Sequence, residues 1–250
     1  MSDVEIIEFK TPGPATLLYL TQIETEEGVE EGEVRSCLLE HFSQWGLLYK
    51  LNMGQSDDPS PQFYCYLRYY SVRAAARAKI DNRGCVTLME GRVRLRLGRA
   101  GRGDRESRHL PLARVKCEEL ANYYLGYNGW SSAVLYHRSE DTGDPDTITY
   151  VTVVRLEFPS SGLDCEGAGR CEAARSGDKM EDFRVTAELA KRSKGEAVLA
   201  AWDKVVLVVV AGARVSVEIN TTKRDNFFYD PTWDEPEVEV NEAEYFGEVQ

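Results

Sequence analysis

Three tyrosines, Tyr19, Tyr64 and Tyr66, and three arginines, Arg68, Arg94 and Arg96, stand at alternate positions of short apolar runs. On extended strands such residues share one face. Tyrosine rings stack on unpaired bases and guanidinium groups meet phosphates, so the face suits single-stranded nucleic acid. The same alternation turns Leu18, Leu20, Phe63, Cys65, Leu67, Tyr69, Val93, Leu95 and Leu97 the other way, toward a core. No comparable cluster points to catalysis. His41, His109 and His137 are far apart, and no G-x-x-x-x-G-K-[ST], H-E-x-x-H or G-x-S-x-G run occurs. Cys165 and Cys171 lack a histidine at zinc-site spacing. The expectation is a non-enzymatic binder with no cofactor and no metal.

Presenting that face takes a sheet covered on one side only. Residues 16–23 read as a strand, and Val34, Cys37, Leu38, Phe42 and Trp45 keep helical spacing. Strands follow at 47–53 and 63–69. Ser71 then caps a second helix that should turn Val72, Ala75, Ala76 and Ile80 inward, and 92–97 is the last strand. The order βαββαβ over residues 15–98 is the split βαβ sandwich, with both helices on one face.

The second half centres on residues 116–131. Cys117, Leu120, Ala121, Tyr124 and Leu125 paint one helical stripe, Gly126 sits at the helix end, and Asn128-Gly129 turns the chain into a strand. Residues 147–158 form a β-branched strand. The Gly-, Ser- and Glu-rich stretch 159–178 reads as a mobile insertion. Phe183, Ala187, Ala190, Ala197, Val198, Ala201 and Trp202 mark a long helix, and 205–210 pairs with 215–219 as a hairpin. The apolar strand 205–210 offers a sheet edge, so a homodimer through residues 111–220 is expected.

The chain has 250 residues with 30 Lys+Arg against 42 Asp+Glu, a net charge of −12 and a pI near 4.9. That sign opposes a simple nucleic-acid binder, but the charge is segregated. Arg99, Arg102, Arg105 and Arg108 lie in a glycine-containing stretch, 99–110, that reads as a basic linker able to track phosphates, and equally as a nuclear-import signal or a solvated tether. Residues 223–250 form an acidic, aromatic-bearing tail, and 1–14 a leader without structure. No signal peptide or apolar span of membrane length is seen, and the scattered cysteines suggest no disulfide framework. Nucleus and cytoplasm, with no membrane partner, is the expected location.

Two resemblances sharpen this reading. L-Y-L-T-Q-I from Leu18 and Q-F-Y-C-Y-L-R-Y from Gln62 resemble the two signature strands of the RNA recognition motif. The resemblance implies that Tyr19, Tyr64 and Tyr66 stack on bases. Gln62 and Phe63 depart from the basic residue and glycine expected there. L-A-N-Y-Y-L-G-Y-N-G-W from Leu120 resembles the signature of the Rad-fifty-two recombination mediators. That family's groove positions fall on Lys116 and Tyr127, with Lys204 remaining from its basic cluster. Together they imply an α+β protein, a ferredoxin-like recognition motif over 15–98 followed by a Rad-fifty-two-like domain over 111–222. The partners implied are single-stranded DNA, RNA and duplex DNA, and the role is in the DNA-damage response and recombinational repair. The alternative is a protein-interaction scaffold using the same two domains.

Overall fold

A computed structural model describes residues 4–26, 28–55, 62–98, 110–210 and 214–223. The expected linker and tail fall outside these ranges, apart from Leu110 and Lys223. Among the described residues the chain is mixed α+β, with four α-helices and three antiparallel sheets.

The first strand, β1 (Val4–Glu8), lies where a leader without structure was expected. It is ordered by partners far along the chain. The next elements are β2 (Leu17–Thr25), α1 (Glu31–Ser43), β3 (Leu48–Gln55), β4 (Gln62–Tyr69), α2 (Val72–Asp81), β5 (Cys85–Leu88) and β6 (Val93–Gly98). They build a five-stranded sheet in the order β3-β4-β2-β6-β5. Its core joins Val34, Leu38 and Phe42 of α1 and Ala74, Ala75 and Ala78 of α2 to the inward residues of the sheet. Both helices therefore cover the same face. All nine side chains expected inward belong to this cluster, Leu97 as a partly buried member.

Helix α2 departs from the expected phase. Ser71 does cap it, accepting from the Ala74 N–H at 2.9 Å, but Val72 and Ile80 are exposed. Alanines face the sheet instead and let the helix approach closely. The helix ends are tied by polar contacts: His41 Nε2 meets Asn82 Oδ1 at 2.8 Å, and Trp45 Nε1 donates to Asp81 at 2.7 Å. Strand β5 went unread because its four residues are exposed or half-buried and carry no core signal.

The second unit runs α3 (Arg114–Leu125), β7 (Ser131–Glu140), β8 (Thr147–Phe158), β9 (Leu163–Ala174) and α4 (Lys179–Lys204), with a sheet in the order β7-β8-β9. The stripe on α3 is as expected, with Cys117, Leu120 and Ala121 buried. The stretch expected to be a mobile insertion is instead β9, paired with β8 along all 12 of its residues. Cys165, Gly167, Gly169 and Cys171 alternate on its covered face. Small residues there hide the period-two pattern, yet they are needed. A Cβ on Gly167 would strike the backbone of Ala197 and Ala201, and one on Gly169 that of Ser193 and Ala197. Helix α4 thus rests directly on the strand. Its buried row is Leu189, Ser193, Ala197, Val198, Ala201 and Trp202, and Phe183, expected inward, is 71% exposed. The buried Ser193 hydroxyl meets Thr152 Oγ1 at 2.7 Å, which removes the cost of a polar group in that row.

The hairpin β10 (Val205–Val210) and β11 (Arg214–Ile219) completes a third sheet, β1-β10-β11. Because β1 pairs the far side of β10 along its length, β10 has no free edge. The expected dimer edge is therefore filled from within the chain. Strand β1 also reaches the first unit, where the Glu5 carboxylate accepts from Ser71 Oγ at 2.7 Å and from the Arg73 N–H at 3.1 Å. A carboxylate at this helix start is favoured by the helix dipole.

Adding one methyl group at the α4–β9 contact should strain backbone rather than a movable side chain. Gly169→Ala is expected to lower stability by about 1–3 kcal/mol in urea unfolding. Gly195→Ala, in α4 itself with open space at its Cβ position and no positive φ, should not destabilise.

Candidate functional site

The five-stranded sheet has a face that the helices leave open. Leu18 and Leu20 turn inward, so Tyr19 turns out, and β4 repeats this with Tyr64, Tyr66 and Arg68. Strand β2 then breaks phase. A bulge between Leu20 and Ile23, with Gln22 at φ +51°, lets both of those side chains be fully buried although they are three residues apart. Without the bulge, strict alternation would point Ile23 to the open face.

Pairing brings the expected residues together. Tyr19 lies opposite Tyr66, and their rings stack at 4.6 Å with an interplanar angle of 21°. Tyr64 stands edge-on to Tyr66 at 5.9 Å and 6.5 Å from Tyr19. Glycines make room at both margins. Tyr64 lies across Gly54 of β3, where any Cβ would meet its ring, and Tyr19 lies 3.0 Å from the Cβ position of Gly98. Arg96 pairs in register with Thr21, and Arg94 with Glu24. Strand β3 adds residues that were not anticipated: Asn52 lies opposite Tyr66, and Lys50 opposite Arg68. Their signal was the alternation Lys50, Asn52, Gly54, which becomes visible once β3 is paired with β4. The result is an aromatic row flanked by basic side chains.

The second group of expected residues is not assembled in this way. Lys116 is held by Glu119 at 2.6 Å, and its ammonium lies 6.0 Å from the centre of the Tyr49 ring. Lys204 donates to the Glu166 carbonyl at 2.6 Å. Tyr127, at 85% exposure, projects from the turn between α3 and β7. Much of the motif around it is structural. Leu120 and Ala121 are buried, and Trp130 Nε1 donates to Asn122 Oδ1 at 2.9 Å. Gly126 holds φ +81°, and Gly129 packs so closely on the Leu125 carbonyl that a Cβ has no place. Trp130 then stands edge-on to Trp202 at 5.0 Å.

The buried thiols take the part of small hydrophobes. Desolvation pushes Cys65 and Cys117 up to about 12. Cys165 and Cys171, expected within a mobile insertion, are buried under α4.

Fold and site together define a mixed α+β protein with an open tyrosine-bearing sheet joined to an αβββα unit. A family model described as the RDM1 DSRM domain matches residues 112–206, which span that second unit. The chain is 30% identical to RAD52 motif-containing protein 1 of Gallus gallus, over 98% of this chain and 87% of that protein. The protein of the same name in Danio rerio is 28% identical over 87% of this chain and 82% of its own length. For the Homo sapiens protein the values are 27%, 86% and 80%. The chain belongs to the RAD52 motif-containing protein 1 family.

Two substitutions in the motif should differ in effect. Asn122→Ala removes the acceptor for Trp130 and should lower stability by about 1–2 kcal/mol in urea unfolding. Tyr127→Ala, on an exposed ring, should stay within about 0.5 kcal/mol.

Proposed function

We propose that this protein binds single-stranded DNA and RNA on the open face of its N-terminal sheet, as a non-enzymatic factor of DNA-damage response and recombinational repair in nucleus and cytoplasm. The observation that carries the reading is the row of Tyr19, Tyr64 and Tyr66 flanked by Lys50, Arg94 and Arg96 on the face opposite both helices. Aromatic platforms of this kind gain about 1–3 kcal/mol per stacked base. The βαββαβ order, to which β5 is added before β6, with the central strands β4 and β2 side by side supports reading the first unit as an RNA recognition motif. The names of the relatives support the repair context, and the DSRM description of residues 112–206 supports a nucleic-acid-associated role for the second unit.

Duplex binding by the second unit finds less support. The Arg175 N–H donates to the Asp146 carbonyl, which brings the β7–β8 turn beside the start of α4. Asp141, Asp144, Asp146, Asp178 and Glu181 are all exposed there and outnumber the exposed Arg175, Lys179 and Arg184. Such an end repels phosphates. The first unit is therefore the principal binding surface in this proposal.

The second sheet offers an edge for self-association. Strand β7 lies at the edge of its sheet, and Val134 and Leu135 are 46% and 45% exposed. Two copies pairing along β7 would form the homodimer without needing β10.

Replacing Tyr64 and Tyr66 together with Ala should weaken binding of a single-stranded oligonucleotide by about 2–6 kcal/mol and leave folding intact, as read by filter binding and circular dichroism. Unchanged affinity would remove the platform from the mechanism. Val134→Lys with Leu135→Lys should convert a dimer to a monomer in light scattering. A variant that keeps the dimer mass would exclude β7 as the contact.

A further inference from the structure

The open sheet face joins rings to basic side chains, and residues 224–250 carry the complementary pattern. From Asp225 onward there are nine carboxylates and no Lys or Arg, interleaved with six aromatic residues that begin with Phe227, Phe228, Tyr229 and Trp233. These nine account for most of the net charge of −12. A carboxylate beside an aromatic ring presents the two groups that a nucleotide presents, an anion and a flat π-face. The face that suits one suits the other.

We propose that residues 225–250 occupy the tyrosine face when no strand is bound, carboxylates against Lys50, Arg94 and Arg96 and rings against Tyr19, Tyr64 and Tyr66. The inference rests on the platform reading and adds its regulation: the chain competes with nucleic acid for its own site. Reach is no obstacle. Lys223 is anchored to Asp203 at 2.8 Å at the end of α4. The residues beyond it can extend on the order of 85 Å, against a radius of gyration near 18 Å expected for a compact chain of this size. Tethering supplies an effective concentration on the order of 1 mM, so a contact with a dissociation constant of about 0.1 mM would weaken strand binding roughly tenfold.

The test uses the full chain in three forms titrated with a fluorescent oligothymidylate at low salt. The first is unaltered. The second carries Phe227→Ser, Phe228→Ser, Tyr229→Ser and Trp233→Ser and keeps every carboxylate. The third carries Asp230→Asn, Asp234→Asn, Glu235→Gln, Glu237→Gln and Glu239→Gln. Docking predicts that the second and third forms both bind roughly tenfold more tightly than the first, with the differences shrinking as salt rises. Tighter binding by the third form alone means diffuse repulsion and overturns the docking. Equal binding by all three overturns it as well, while leaving the platform standing. A chain that binds in none of the forms overturns the platform reading itself, and the inference falls with it.

Discussion

One constraint shapes the first unit: its two helices cover a single face of a five-stranded sheet. Period-two alternation then leaves no freedom in where the tyrosines go. Once Leu18, Leu20, Cys65 and Leu67 are committed to the core under α1 and α2, Tyr19, Tyr64 and Tyr66 must stand outside. The bulge at Gln22 keeps this arrangement from failing at Ile23, where strict alternation would have put an aliphatic side chain among the rings. Gly54 and Gly98 do the complementary work on the open side, since Gly54 yields its space to Tyr64 and Gly98 to Thr21 and Tyr19.

The second unit is organised around Trp202, which is 1% exposed. Phe9 stacks on it at 4.6 Å, and Trp130 and Phe158 meet it edge-on. These rings come from the segment after β1, from the turn after α3, and from the end of β8. The same core takes in Tyr70, from the end of β4, with Leu47 and Tyr49 packed against it, so the two units share apolar surface. The Tyr70 hydroxyl donates to the Lys116 carbonyl across that junction at 3.3 Å. Strand β1 adds a third tie through Glu5 and the start of α2.

What the sequence made legible follows from the strength of its periodicities. Strands β2, β3, β4 and β6 of the first sheet and the stripe on α3 could be read because apolar residues mark their buried positions at regular spacing. The open face was read from the same alternation. Strand β9 could not be read, because its buried positions hold cysteine and glycine, which composition assigns to a loop. Strand β1 was missed for another reason: Val4, Ile6 and Ile7 gain their order from Val206 to Val210, some 200 residues away, and no local pattern reports that pairing. The exposed Phe183 and the outward Val72 and Ile80 reflect helix phases set by close-packed small residues, Gly169 in one case and Ala74 and Ala78 in the other. The motif ending in Trp130 was legible as a turn. Its division into a buried lock and one exposed ring required the Asn122–Trp130 hydrogen bond to be seen.

The central claim is that unpaired bases stack on the N-terminal sheet and not on the second unit. Photocrosslinking of the full chain to a bromodeoxyuridine-substituted single strand, with the adducts located by peptide mass spectrometry, tests it most directly. The account predicts adducts at Tyr19, Tyr64 and Tyr66. Adducts confined to Tyr127 and the rest of residues 110–223, with none on β2 or β4, would contradict it.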